Sequence, residues 1–118
     1  MSDGELRWQS EPAPGGLIVA PFGRVDEGTA SAFADGLAAA VEQASAAGAG
    51  RLAVDLAGID YMSSRGLRAL TLAQRKGTEL KVTVVLTRPN AMMREILAIS
   101  RYDKVFRVHE RNEDALAD

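Results

Sequence analysis

Tyr61-Met62-Ser63-Ser64-Arg65-Gly66-Leu67 stands where this chain changes from a strand-like pattern to a helical one. Before it runs Leu52-Ala53-Val54-Asp55-Leu56, short and continuous, as a buried strand reads. After it Leu67, Leu70 and Ala73 recur at the spacing of one helix face. Two serines therefore sit at a helix start, where backbone N–H groups lack partners and carry partial positive charge. A serine there serves as a cap, and a phosphate there is well placed electrostatically. The residues alone leave both readings open: a structural cap or a phosphorylatable switch.

Toward the N-terminus, Leu6-Arg7-Trp8-Gln9-Ser10 alternates like an edge strand, with Trp8 covering an edge of the core. Pro12-Ala13-Pro14-Gly15-Gly16 is turn chemistry, so Leu17-Ile18-Val19-Ala20-Pro21-Phe22 reads as a strand hairpinned back on the first. Pro21 suits the edge or end of a strand. Gly23-Arg24-Val25-Asp26-Glu27-Gly28-Thr29 reads as a loop into a helix capped by Thr29. Ala30, Phe33, Leu37, Val41 and Ala44 form that helix's apolar face, and Ala47-Gly48-Ala49-Gly50 closes it.

Toward the C-terminus, the second helix is expected to run to about Lys76, with Gly77 ending it. Leu80-Lys81-Val82-Thr83-Val84-Val85-Leu86 is rich in branched residues and reads as a strand. Arg88-Pro89-Asn90 turns into a third helix with Met93, Ile96 and Leu97 on one face, and Met92 and Met93 read as core filling. Val105-Phe106-Arg107-Val108 reads as a last strand and Glu113-Asp114-Ala115-Leu116 as a short helix. Strands alternating with helices after an N-terminal hairpin imply an α/β layered fold. Its expected form is a four to five stranded mixed sheet, parallel beyond the first strand, with about four helices. Neither a repeat nor a linker interrupts the chain, so residues 1–118 read as a single domain. In such sheets function gathers at the loops after strand C-terminal ends, where the serine motif lies.

The 118 residues are 47% hydrophobic and 25% charged, with a net charge of −2. Nothing in that balance favours bulk binding to nucleic acid or to an anionic membrane. Without cysteine there is neither a disulfide framework nor a thiolate metal site, and no motif calls for a metal or cofactor. No run is long enough to span a bilayer, and the first five residues are acidic rather than signal-like, so a soluble cytoplasmic protein is expected. His109 is the single histidine, and no Gly-x-Ser-x-Gly elbow accompanies Ser64, which argues against a hydrolase. No phosphate-cradling loop is present, and the acidic pair that a phosphoryl-accepting receiver needs after its first strand is missing. A non-enzymatic binding module is the expectation.

The chain resembles the STAS domain of bacterial anti-sigma factor antagonists from about residue 17 to about residue 108. The matching pieces are Gly23-Arg24-Val25-Asp26, Leu52-Ala53-Val54-Asp55-Leu56 and Asp60-Tyr61-Met62-Ser63-Ser64-Arg65-Gly66-Leu67-Arg68-Ala69-Leu70. The last piece matches the family's serine or aspartate, phosphoacceptor, variable residue and Gly-Leu. The resemblance implies a STAS-like layered fold with Ser64 as phosphoacceptor, Ser63 being the alternate. It implies a protein that, unphosphorylated, binds an anti-sigma factor that is also a serine kinase. Phosphorylation releases it and a serine phosphatase restores it, with no direct contact to nucleic acid or membrane. Asp26 and Ser63 are candidate partner contacts, Asp26 equally a turn residue. Arg65, Arg68 and Arg75, with Leu72 among them, form either a solvated helix face or a partner surface. Asp55 is expected to take structural hydrogen bonds near the serine loop. The alternative is a STAS-type scaffold or subunit in lipid transport or stress sensing, without phosphorylation.

Overall fold

Pro14 and Gly15 make a two-residue turn, and the sheet grows from it. Gly15 has φ of 90°, and a Cβ there would lie 2.4 Å from the Leu116 carbonyl oxygen, so the turn needs glycine. The computed structural model describes residues 6–117, so the acidic first five residues lie outside the described residues. The strands joined by this turn are β1 (Arg7–Ala13) and β2 (Gly16–Val25), antiparallel from Arg7↔Phe22 to Ala13↔Gly16. Both are longer than expected. A two-residue connection lets pairing run to its very ends, so Pro12 and Ala13 extend β1, where an edge tolerates proline. Gly23, Arg24 and Val25 likewise belong to a strand and not to a loop.

The far end of β2 is a strand because it changes partner. Leu17, Ile18 and Val19 pair in parallel with β3 (Arg51–Asp55), whereas Gly23, Arg24 and Val25 pair in parallel with β4 (Ile59–Met62). Pro21 sits in the gap between these pairings, where no parallel ladder asks it for an N–H. β4 is the strand that the sequence reading lacked. The others are β5 (Thr83–Thr87), parallel to β3, and the two-residue β6 (Val108–His109), parallel to β5. The sheet order is β1-β2-β3-β5-β6 with β4 beside β2, six strands where four to five were expected.

Helices α1 (Ala30–Ala46), α2 (Ser64–Leu80) and α3 (Ala91–Ser100) contribute Phe33, Leu37, Val41, Leu67, Leu70, Met93 and Leu97 to one buried cluster. Leu17, Val19, Leu52, Val54, Val84 and Leu86 of the sheet belong to it too. Ala53 and Val85, alternate residues of β3 and β5, pack instead with Ala115 and Leu116 of α4 (Asn112–Ala117). Trp8 covers the core edge by stacking on Phe33, ring centroids 5.8 Å apart. Met93 is fully buried, but Met92 is 48% exposed and fills no core, because it falls one residue off the apolar face.

Three local readings change for tertiary reasons. Gly77 does not end α2: a Cβ there would stand 2.4 Å from the Val82 carbonyl oxygen, so the glycine serves a close approach. The helix continues to Leu80 and stops at Lys81, left-handed with φ of 63°, and β5 begins at Thr83. Val105 and Phe106 do not extend the last strand. Their N–H groups donate to the Tyr102 carbonyl at 3.0 and 2.9 Å, closing the 3₁₀ turn Tyr102–Lys104. Among the described residues no helix is long and apolar enough to cross a membrane.

Asn90 ties the helical layer to the loop that launches β4. Its Oδ1 caps α3 by accepting from the Met93 N–H at 2.9 Å, and its Nδ2 donates to the carbonyls of Ile59 (2.7 Å) and Ala57 (3.1 Å). Asn90→Ala is expected to cost about 2 kcal/mol in urea unfolding. Asn90→Asp keeps the cap but turns an oxygen on those carbonyls, so its unfolding midpoint should be no higher than that of the alanine variant.

Candidate functional site

The β2–β4 pairing brings together two segments 37 residues apart in register, Val25 opposite Met62, and the Ser63 N–H donates to the Val25 carbonyl at 2.8 Å. Asp26 thus follows one strand where Ser63 follows its neighbour. Ser63 is extended, with φ −78° and ψ 173°, and its Oγ accepts from the Gly66 N–H at 3.3 Å. It is the helix cap. Ser64 is the first residue of α2 and is exposed, and no described hydrogen bond engages its hydroxyl. Gly66 and Leu67 are buried beneath it.

Asp26 organises the adjoining loop. Its Oδ1 accepts from the Gly28 N–H at 3.0 Å, and its own N–H donates to the Thr29 hydroxyl oxygen at 3.0 Å. The Thr29 hydroxyl donates to the Arg24 carbonyl at 2.6 Å, so Thr29 holds the N-cap position of α1, as the sequence reading has it, but makes no side-chain cap bond. Partial desolvation pulls the Asp26 carboxyl upward, but hydrogen bonds from Gly28, Thr29 and Arg24 together hold it below its ordinary value. It is therefore a carboxylate at neutral pH.

Charged groups surround the exposed serine. Arg24 lies 4.6 Å above the Tyr61 ring and 3.5 Å from Asp26, and Arg65 donates to Glu27 at 3.0 Å. Such exposed pairs are screened by solvent and contribute little to stability. Arg65, Arg68 and Leu72 line a groove of 280 Å³ between α1 and α2, with Ala30, Ser31 and Ala34 opposite. Leu72 is 44% exposed there. Arg75 shares the exposed side of α2 but borders a different hollow, with Gln74 and Thr78. The structure thus gathers Asp26, Ser63, Ser64 and Arg65 at one end, continues through Arg68 and Leu72, and leaves Arg75 apart.

Asp55 has a structural environment, but not beside the serine loop. Its Oδ1 accepts from the Ala57 N–H (3.0 Å), and its Oδ2 from Arg88 (2.8 Å) and Asn112 (3.0 Å). None of these partners belongs to the serine motif. Asp55 follows Ala53 onto the α4 side of β3, so its partners come from that side. His109 pairs with Thr87 in β6, and no hydrogen bond joins it to Ser64 among the described residues. Glu27, Arg24 and Tyr61 were missed as neighbours of the site.

The family model described as "Mlab, STAS domain" matches residues 15–108. A candidate anti-sigma factor antagonist of Bordetella bronchiseptica, BtrV, is 32% identical over 103 residues, covering 87% of this chain and 85% of BtrV. An anti-sigma factor antagonist from Mycobacterium paratuberculosis has the same fold, with a TM-score of 0.81 at 23% identity, over 96% of this chain and 92% of that one. The anti-sigma factor antagonist SpoIIAA in its unphosphorylated form gives a TM-score of 0.70 at 16% identity, over 92% of each chain. At these identities the two structures speak for the fold, whereas the family model and BtrV reach the sequence itself. The chain belongs to the STAS domain family, alongside the anti-sigma factor antagonists.

Proposed function

We propose that this protein is a partner-switching anti-sigma factor antagonist. As one STAS-like domain in the cytoplasm it binds an anti-sigma factor with serine kinase activity, is released when Ser64 is phosphorylated, and is restored by a serine phosphatase. Asp26, Ser63, Arg65, Arg68, Leu72 and Arg75 form the docking face in this reading. The observation that carries it is the division of labour between the two serines: the Ser63 side chain is committed to the cap, and the Ser64 hydroxyl stands exposed one residue on.

A phosphate on Ser64 adds about −1.5 to −2 charge at neutral pH. At a helix N-terminus that charge is tolerated by the fold, while at a docking face it brings desolvation cost and repulsion from any acidic group. A differential affinity of about 5 kcal/mol suffices to turn such an equilibrium over completely. The protein has only to present the hydroxyl, and the partner supplies the phosphoryl chemistry.

Incubation with ATP and the serine kinase encoded in its genomic neighbourhood, followed by intact-mass and site mapping, tests this. One phosphate on Ser64, none on Ser64→Ala, and loss of kinase binding are expected. A phosphate on Ser63 instead would move the acceptor by one residue. No phosphate, with tight binding to some other partner, would replace the switch by the scaffold role in lipid transport or stress sensing.

A further inference from the structure

We propose that a phosphate on Ser64 is captured within the chain by Arg68, so that phosphorylation removes from the docking face a cation that an acidic partner surface reads. The proposal deepens the switch reading and relies on it for the biological consequence alone. Ser64 and Arg68 are separated by four residues on the exposed side of α2, which sets their Cβ atoms about 5–6 Å apart. Long helical side chains lean toward the N-terminus, so Arg68 leans toward Ser64. An acid preceding a base at this spacing is also the favourable order.

The available arginines are not equivalent. Arg65 is already held by Glu27 at 3.0 Å, and Arg24 by Asp26 and the Tyr61 ring. Among the described residues no hydrogen bond or ion pair engages Arg68. Its guanidinium therefore has no carboxylate to give up. Phosphate and guanidinium match in charge and in donor–acceptor geometry. Arg75 lies roughly 16 Å from Ser64 along the helix axis, beyond reach of the phosphate.

Before phosphorylation, Arg68 and Arg65 flank an apolar groove ending at Leu72, a surface that fits an acidic partner segment with an apolar anchor. After capture, Arg68 is paired with the phosphate, and the pair carries a net charge of about −1 where Arg68 alone carried +1. The partner then meets a net anion in place of an attractive cation, a change equal to the charge of the phosphate itself.

The second ionisation of phosphoserine, ordinarily near pH 6, reports the capture without any partner. The groups that bear on it are Arg24 from β2, Asp26 and Glu27 from the following loop, Asp60 and Tyr61 from β4, and Arg65 and Arg68 from α2. Phosphoserine installed at position 64 during synthesis makes the test independent of any kinase, so failure of the switch reading and failure of this one are distinguishable. Phosphorus NMR titration at about 0.1 M salt is expected to give Arg68→Gln a midpoint higher than the parent by about half a pH unit or more. Arg68→Lys should fall between them, and Arg75→Gln should match the parent. Coincident midpoints for the parent and Arg68→Gln would overturn the capture. Equal displacement by Arg75→Gln would overturn it too, since a diffuse field would then account for the effect.

Discussion

Gly66→Val is expected to lower the stability of the fold by about 3 kcal/mol, read as a lower urea midpoint at unchanged slope. Glycine inside a helix ordinarily costs about 1 kcal/mol relative to alanine, so substitution here would gain stability if propensity alone decided. It does not. A Cβ at Gly66 would lie 2.6 Å from both Val25 Cγ1 and Met62 Cγ. Valine adds two methyl groups to that clash, and Val25 is itself β-branched and fully buried, with little freedom to yield. Those two neighbours end the paired strands β2 and β4, so relief of the clash parts Asp26 from the serines. Gly50→Ala is the control. No atom lies within 4 Å of a Cβ there, and its midpoint should stay within about 0.5 kcal/mol of the parent. Against a total of about 5–15 kcal/mol for a domain, the Gly66 effect is large.

Asp55→Ala is expected to cost about 2–3 kcal/mol. The carboxylate side chain is 6% exposed, and its loss leaves the Ala57 N–H, the Asn112 amide and the Arg88 guanidinium without an acceptor. Arg88 is half exposed and recovers water, which keeps the estimate below that for a fully buried pair. It also holds φ of 51° directly before Pro89, a conformation that its ion pair and its N–H bond to the His109 carbonyl maintain. Asp55→Asn restores an acceptor without the charge and should recover part of the loss. Neither variant should change the rate at which a cognate kinase modifies Ser64, provided the assay is run where both are folded. A slowed rate in Asp55→Asn would show that this cluster reaches the serine loop after all.

What the sequence legibly carried was whatever a few neighbouring residues decide together. The buried strand around Val54, the apolar faces of α1, α2 and α3, the Asn90 helix start and the serine motif all show as local period or cap chemistry. The family resemblance added the expectation that Ser64 is the phosphoacceptor with Ser63 as the alternate, where chemistry alone left cap or acceptor open. Tertiary structure decided the remainder. β4 is four residues long, and it is a strand because β2 outruns β3 and offers it an edge. Gly77 looked like a stop signal, but its missing Cβ makes room for the turn into β5. Thr29 stands at the cap position as read, but the Arg24 carbonyl and the Asp26 N–H claim its hydroxyl, so the side-chain cap bond is not made. Asp55 announced a need for partners but could not name Arg88 and Asn112, which lie 33 and 57 residues away in the chain. The sequence by itself determined the apolar faces of α1, α2 and α3 and which serine pair opens α2. The sequence also suggested Ser63 as the cap that leaves Ser64 exposed, a bond made three residues along the chain. Only the tertiary structure set Asp26 beside them, because that depends on which distant backbone supplies each donor and acceptor.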